Sequence, residues 1–114
     1  MAAMSTVLKL HNTGNNLRIW TAPGHSVLKP VTVEQRRTEA TSPDGTNVDK
    51  VICRQGVVDA AGAMLPEPFA IDVTARRPVS AVQADIDANI ALFRDFVASD
   101  EFVDMINAQA FIAE

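Results

Sequence analysis

The chain has 114 residues, ten Lys and Arg against fourteen Asp and Glu, a formal net charge of -4 and 47% hydrophobic residues. That size predicts one domain, 1–114, with a modest core. The composition excludes a disordered chain, and the apolar runs are far shorter than the roughly 18 residues a membrane helix needs. A lone cysteine, Cys53, excludes an intrachain disulfide and a cysteine-based zinc site, and no signal-peptide pattern opens the chain, so a protein made and used in the cytoplasm is expected.

In chain order, Ser5–His11 predicts a first strand, and Asn12-Thr13-Gly14-Asn15-Asn16 supplies residues that tolerate positive φ in a tight turn. Leu17–Ala22 predicts a second strand, broken by Pro23 and Gly24. Val27–Thr41 predicts a long third strand with Pro30 near its start, closed by the turn Ser42-Pro43-Asp44-Gly45. Val48–Val58 predicts a fourth strand, with Cys53 as a small buried hydrophobe. Asp59–Pro66 is a loop rich in Ala and Gly, and Phe69–Val79 predicts a fifth strand.

The pattern then changes period. Ser80 and Gln83 have capping-box spacing, and Val82, Ile86, Ile90, Phe93 and Val97 fall on one helical face. A helix is expected from about Ala81 to Ala98. Ser99 caps a second one, with Asp100 and Glu101 in its first turn and Phe102 and Ile106 on its apolar face. Strands followed by helices predict an α+β domain: an antiparallel sheet of about five strands with an N-terminal hairpin (1–79), then two C-terminal helices (80–114). One apolar stripe does not offset the backbone entropy of ordering such a helix. The stripe must therefore cover a sheet, its own or a partner's, and this favours an oligomer.

Charge is unevenly spread. Residues 1–80 hold nine Lys and Arg against seven acids, whereas residues 81–114 hold one, Arg94, against seven. An acidic chain of this kind can still present a basic face. No chemistry-bearing constellation accompanies it. His11 and His25 lie near turns and suit surface or interface roles, with no metal-ligand partner at helical or hairpin spacing. Asp85 and Asp87 are two apart and do not share a helical face. No phosphate loop or nucleophile elbow is present. Neither a cofactor nor a metal is expected.

Three stretches carry a resemblance: Phe69-Ala70-Ile71-Asp72-Val73-Thr74, then Leu92-Phe93-Arg94-Asp95-Phe96-Val97-Ala98-Ser99, then Phe102-Val103-Asp104-Met105-Ile106-Asn107. In that order, with Ser80 between the first and second, the sequence resembles the C-terminal half of levivirus coat proteins, the capsid proteins of single-stranded RNA bacteriophages. The run from Val31-Thr32-Val33 through Asp44-Gly45 to Lys50-Val51-Ile52 is similar to the family as well. The resemblance implies an interlocked homodimer with a continuous ten-stranded sheet, each chain's helices lying across the partner's sheet. Val82, Ile86, Ile90, Phe93, Val97, Phe102 and Ile106 would then form the dimer interface. It further implies assembly into an icosahedral shell of T=3 symmetry in the host cytoplasm. The loop between the fourth and fifth strands would gather at the five-fold and quasi-six-fold axes. Genomic RNA would lie on the inner sheet face, and an RNA hairpin at the replicase start would be bound to repress translation.

Strand alternation assigns that face. Lys50, Ile52 and Arg54 share one side of the fourth strand, and Val51 and Cys53 the other. Thr32, Glu34 and Arg36 of the third strand, and Asp72, Thr74 and Arg76 of the fifth, join the first side. The expected RNA-binding set is Thr32, Arg36, Lys50, Ile52, Arg54, Asp72, Thr74 and Arg76. Arg36, Lys50, Arg54 and Arg76 would supply phosphate contacts, and exchanging Lys50 and Arg54 should leave the fold unharmed. Family members often stack a base two positions before the aspartate. Here that position is Ala70, and the chain has no tyrosine, so sequence discrimination should be weak relative to total affinity. Two other classes share parts of this pattern: a cellular dimeric RNA- or DNA-binding regulator that forms no shell, and a small dimeric α+β enzyme.

Overall fold

A computed structural model describes residues 3–112. The chain divides into two compact units, residues 1–79 and 80–114. The first is a five-stranded antiparallel sheet whose strands lie side by side in chain order. The strands are β1 (Lys9–Gly14), β2 (Leu17–Thr21), β3 (Val31–Thr38), β4 (Thr46–Gln55) and β5 (Phe69–Pro78). The second unit holds helices α1 (Gln83–Val97) and α2 (Asp100–Ala108). The expected α+β order of strands and then helices is the order found.

Element ends differ from expectation where local chemistry overrides pattern. β1 runs through most of the asparagine cluster, because Gly14 already pairs with Leu17 and only Asn15 and Asn16 are left to turn, with Asn16 at φ 57°. The β1 register skips at His11, which is inserted as a bulge between the pairs Leu10–Trp20 and Asn12–Ile19. β3 begins only after Pro30, which lacks an N–H for the ladder. The segment before it is a tied loop: the Lys29 N–H donates to Ser26 Oγ at 2.9 Å and the Val31 N–H to His25 Nδ1 at 3.0 Å. β4 stops at Gln55 because Gly56 abuts Pro30. The Gly56 N–H donates to the Pro30 carbonyl at 2.7 Å, and a Cβ on residue 56 would sit 3.1 Å from the Pro30 nitrogen.

Asp59 knits the loop after β4 together. Its Oδ1 accepts from the N–H groups of Ala61 and Ala63 at 2.9 and 3.0 Å, and Val58 bridges to Met64. The expected small-residue loop is therefore a closed turn, with Gly62 at φ 86°.

In the helical unit neither expected serine cap forms. Val82 is the N-cap of α1 and has no side-chain acceptor to offer. Ser99 stands at the N-cap of α2, but its hydroxyl donates back to the Phe96 carbonyl at 2.5 Å. The α1–α2 junction is packed by Phe96 against Phe102, edge to face with ring centroids 5.7 Å apart. Phe96 lies beside the predicted stripe and not on it.

Candidate nucleic-acid interface

Cross-strand partners share a face, so the register sorts the sheet into two sides. One side carries the row Leu10–Trp20–Val33–Cys53–Ile71, apolar across all five strands. Val31, Val51, Val73 and Phe69 lie on that side too, and two of its cations, Arg18 and Arg37, are tied up locally near the β1–β2 turn. There Arg37 Nε donates to Asn16 Oδ1 at 3.1 Å and Arg18 Nη1 to the Leu17 carbonyl at 3.0 Å. Trp20, Val31, Val33, Val51, Ile71 and Val73 are only half-buried in the single chain, and Cys53 is exposed. The expectation of a buried Cys53 is thus not met within one chain, because the face that carries it is not closed over.

The other side carries the rows Leu17–Arg36–Lys50–Thr74, Ile19–Glu34–Ile52–Asp72 and Thr21–Thr32–Arg54–Ala70, with Val48 beside Arg76. All eight residues of the expected RNA-binding set therefore lie on one face. The same register adds a cation that sequence reading passed over. Lys9 pairs with Thr21 and extends the threonine row to the edge strand. Its alternation is visible in the sequence, but the His11 bulge hides the phase of β1 relative to the rest of the sheet.

Two members of the face differ from expectation. Ile52 is 6% exposed and Glu34 5%, and among the described residues they are the buried apolar side chain and the buried charged one. Ile52 is consequently a floor of the face and not a contact surface. Glu34, opposite it, binds both neighbouring arginines: Arg36 through Nε to Oε2, and Arg54 through Nη1 to Oε1 at 3.1 Å. Burial by itself would raise the Glu34 pKa. The hydrogen bonds and charges of Arg36 and Arg54 outweigh it and hold the carboxyl below its ordinary range. Arg36 and Arg54 are thus partly neutralised, whereas Lys9, Lys50 and Arg76 form no ion pair among the described residues. Arg54 also has a structural part, contrary to the expectation that its exchange would leave the fold unharmed, since removing it strands a buried carboxylate oxygen.

Ala70 lies on this face beside Arg54, and the aromatic ring of Phe69 belongs to the opposite side. His25 is half-buried, and its ring centroid is 6.1 Å from that of His11. Among the described residues no group of three or more His, Cys, Asp or Glu could hold a metal ion, and no helix is long and apolar enough to cross a membrane.

The helical unit carries the remaining candidate residues. The stripe Val82, Ile86, Ile90, Phe93 and Val97 is largely open, with Val82 64% and Phe93 44% exposed. Phe102 and Ile106 on α2 are half-buried.

No protein-family model and no curated protein matches the chain by sequence. Solved structures share its fold. The chain of the virus-like particle of Wenzhou levi-like virus 4 superposes with a TM-score of 0.81 at 19% identity, over 98% of this chain and 82% of that one. The virus-like particle of Beihai levi-like virus 32 gives 0.75 at 16% identity, over 98% and 92%. The bacteriophage EMS014 coat protein gives 0.57 at 12% identity, over 82% and 72%. The first two likenesses extend along nearly the whole of this chain, across both the strands and the helices.

Proposed function

We propose that the chain is the coat protein of a levi-like RNA bacteriophage, a structural protein and not an enzyme, which assembles into the shell of the virion. The observation that carries this reading is a fold shared along nearly the whole chain with chains that build virus-like particles. The uncovered apolar surface supports it. A row apolar across five strands and a helical stripe open to solvent are surfaces that a soluble monomer seldom leaves exposed. In the proposed homodimer the two sheets join into ten strands. Val82, Ile86, Ile90, Phe93, Val97, Phe102 and Ile106 of one chain cover Trp20, Val33, Cys53 and Ile71 of the other. Dimers then close into an icosahedral shell with T=3 quasi-symmetry, formed in the host cytoplasm.

On the same reading the polar face looks inward and holds the genome. Lys9, Arg36, Lys50, Arg54 and Arg76 make phosphate contacts, with Thr32, Thr74 and Asp72 among them and Ile52 beneath. Phosphate contacts carry the affinity, because Ala70 offers no ring for a base to stack on. Binding of a replicase-start hairpin, with repression of translation, would then rest on hydrogen bonds and loop shape.

Electron microscopy of the purified full-length protein, together with the nucleic acid recovered from it, tests the assignment. Uniform closed particles containing RNA are expected. A discrete dimer that binds RNA but never closes into a shell would replace this reading with a cellular RNA-binding regulator. A folded monomer at micromolar concentration would remove the dimer as well.

A further inference from the structure

Glu34 occupies the middle of the polar face and uses both carboxylate oxygens on arginines that approach from opposite directions. Arg36 lies two residues along β3. Arg54, on β4, stands opposite Thr32, two residues the other way. Their backbone positions are therefore about 13 Å apart along the strands and one strand spacing, about 4.8 Å, across. The shared carboxylate draws the two guanidinium groups together to opposite ends of one acceptor. Each keeps donors in reserve. A guanidinium has five N–H groups, and among the described residues Arg36 commits its Nε and Arg54 one Nη1 hydrogen to Glu34. The side chains remain 59% and 36% exposed, against 7% for Glu34. The acid is thus buried beneath two forks whose unused edges remain open to solvent.

We propose that Glu34 is a positioning residue that binds Arg36 and Arg54 into one clamp for the phosphodiester backbone of single-stranded RNA, an inference that rests on the polar face being the RNA side. The clamp exchanges charge for geometry. Glu34 subtracts a negative charge from the attraction of the face, and in return two flexible side chains arrive already ordered, which lowers the entropy lost on binding. Undirected attraction is screened by salt, whereas directed bidentate contact persists. Removing the acid therefore has opposite effects at the two ends of a salt series. Asp72 provides the control, being on the same face, exposed, and in no ion pair among the described residues. Asp72→Asn keeps a polar side chain of the same shape at that position of the face and removes only its charge, without touching the clamp.

The experiment measures binding of the purified full-length protein to an oligouridylate across a salt series, with thermal unfolding followed alongside. Glu34→Ala should bind several-fold tighter than wild type at low salt and several-fold weaker at high salt, so that the curves cross, with a slope steeper by about one unit. Asp72→Asn should bind tighter at low salt and converge on wild type without crossing it. Glu34→Gln keeps one carboxylate-like oxygen for one arginine and should cross with smaller amplitude, and it carries the test if Glu34→Ala does not fold. A Glu34→Ala curve that follows Asp72→Asn, or one that overlies wild type, overturns the clamp. Wild-type binding by both Arg36→Ala and Arg54→Ala, with weakened binding by Lys50→Ala or Arg76→Ala, also overturns it while leaving the RNA face intact. If none of these four substitutions changes binding, the assignment of the face to RNA fails instead.

Discussion

The two faces of the sheet meet the same physical demand in opposite ways. The polar face is complete within one chain: its buried acid has both oxygens satisfied, and Ile52 is closed over beneath the charged side chains. The apolar face is incomplete. Trp20, Val33 and Ile71 are half-buried and Cys53 is exposed, although these residues form a row across all five strands. A face lined with charge can be finished by hydrogen bonds among its own side chains. A face lined with hydrocarbon gains stability only by removing its area from water, and for that it needs a second layer. The contrast teaches that charge can be satisfied within one layer, whereas on the proposed reading the apolar face is completed by a second copy of the chain.

The largest effect should come from placing charge on the apolar side. Val33→Asp, or Phe93→Asp on the open stripe of α1, puts an unpaired carboxylate where the proposed cover would bury it. Particles should disappear and soluble dimer with them, as read by size-exclusion chromatography with light scattering. Normal assembly of both variants would mean that the apolar face is not an assembly surface.

A smaller effect separates residues within the polar face. Arg54→Ala leaves a buried Glu34 oxygen without its donor and should destabilise the fold by about 1–3 kcal/mol. Arg76→Ala, at an exposed position with no ion pair among the described residues, should change stability by less than about 0.5 kcal/mol. Denaturant unfolding of the two variants compares them directly, and equal costs would show that the Glu34 bridge adds nothing to stability.

The smallest effect is on acid stability. The pKa of Glu34 is lowered in the folded chain, so its contribution to stability is fully present above the ordinary glutamate range. That contribution is lost progressively as pH falls from that range through the folded value, because protonation there favours the unfolded chain. Glu34→Gln should flatten this part of the stability profile relative to wild type. Parallel profiles for the two proteins between neutral pH and pH 3 would contradict the coupling.

The order of elements was legible because each period is a local property of the chain. Alternation at residues 69–77 and the four-, four-, three- and four-residue steps from Val82 to Val97 require no knowledge of neighbours. Alternation also placed Lys50, Arg54, Arg36 and Arg76 on one side, since a strand has only two sides to offer. The ends of elements were less legible. The limits of β3 and β4 depend on Pro30 meeting Gly56, which are far apart in sequence, and the place of Ser99 depends on a competing acceptor at Phe96.

Composition and periodicity by themselves determined an α+β chain with one basic and one apolar sheet face and an amphipathic helix, because burial pattern follows directly from side-chain spacing. Only the tertiary structure decided register and pairing. It brought Lys9 onto the basic face across a bulge, chose Phe96 to pack the helices together, and placed one carboxylate between two arginines from different strands. These outcomes depend on which residues stand opposite each other, and that is set by backbone hydrogen bonds between segments distant in sequence.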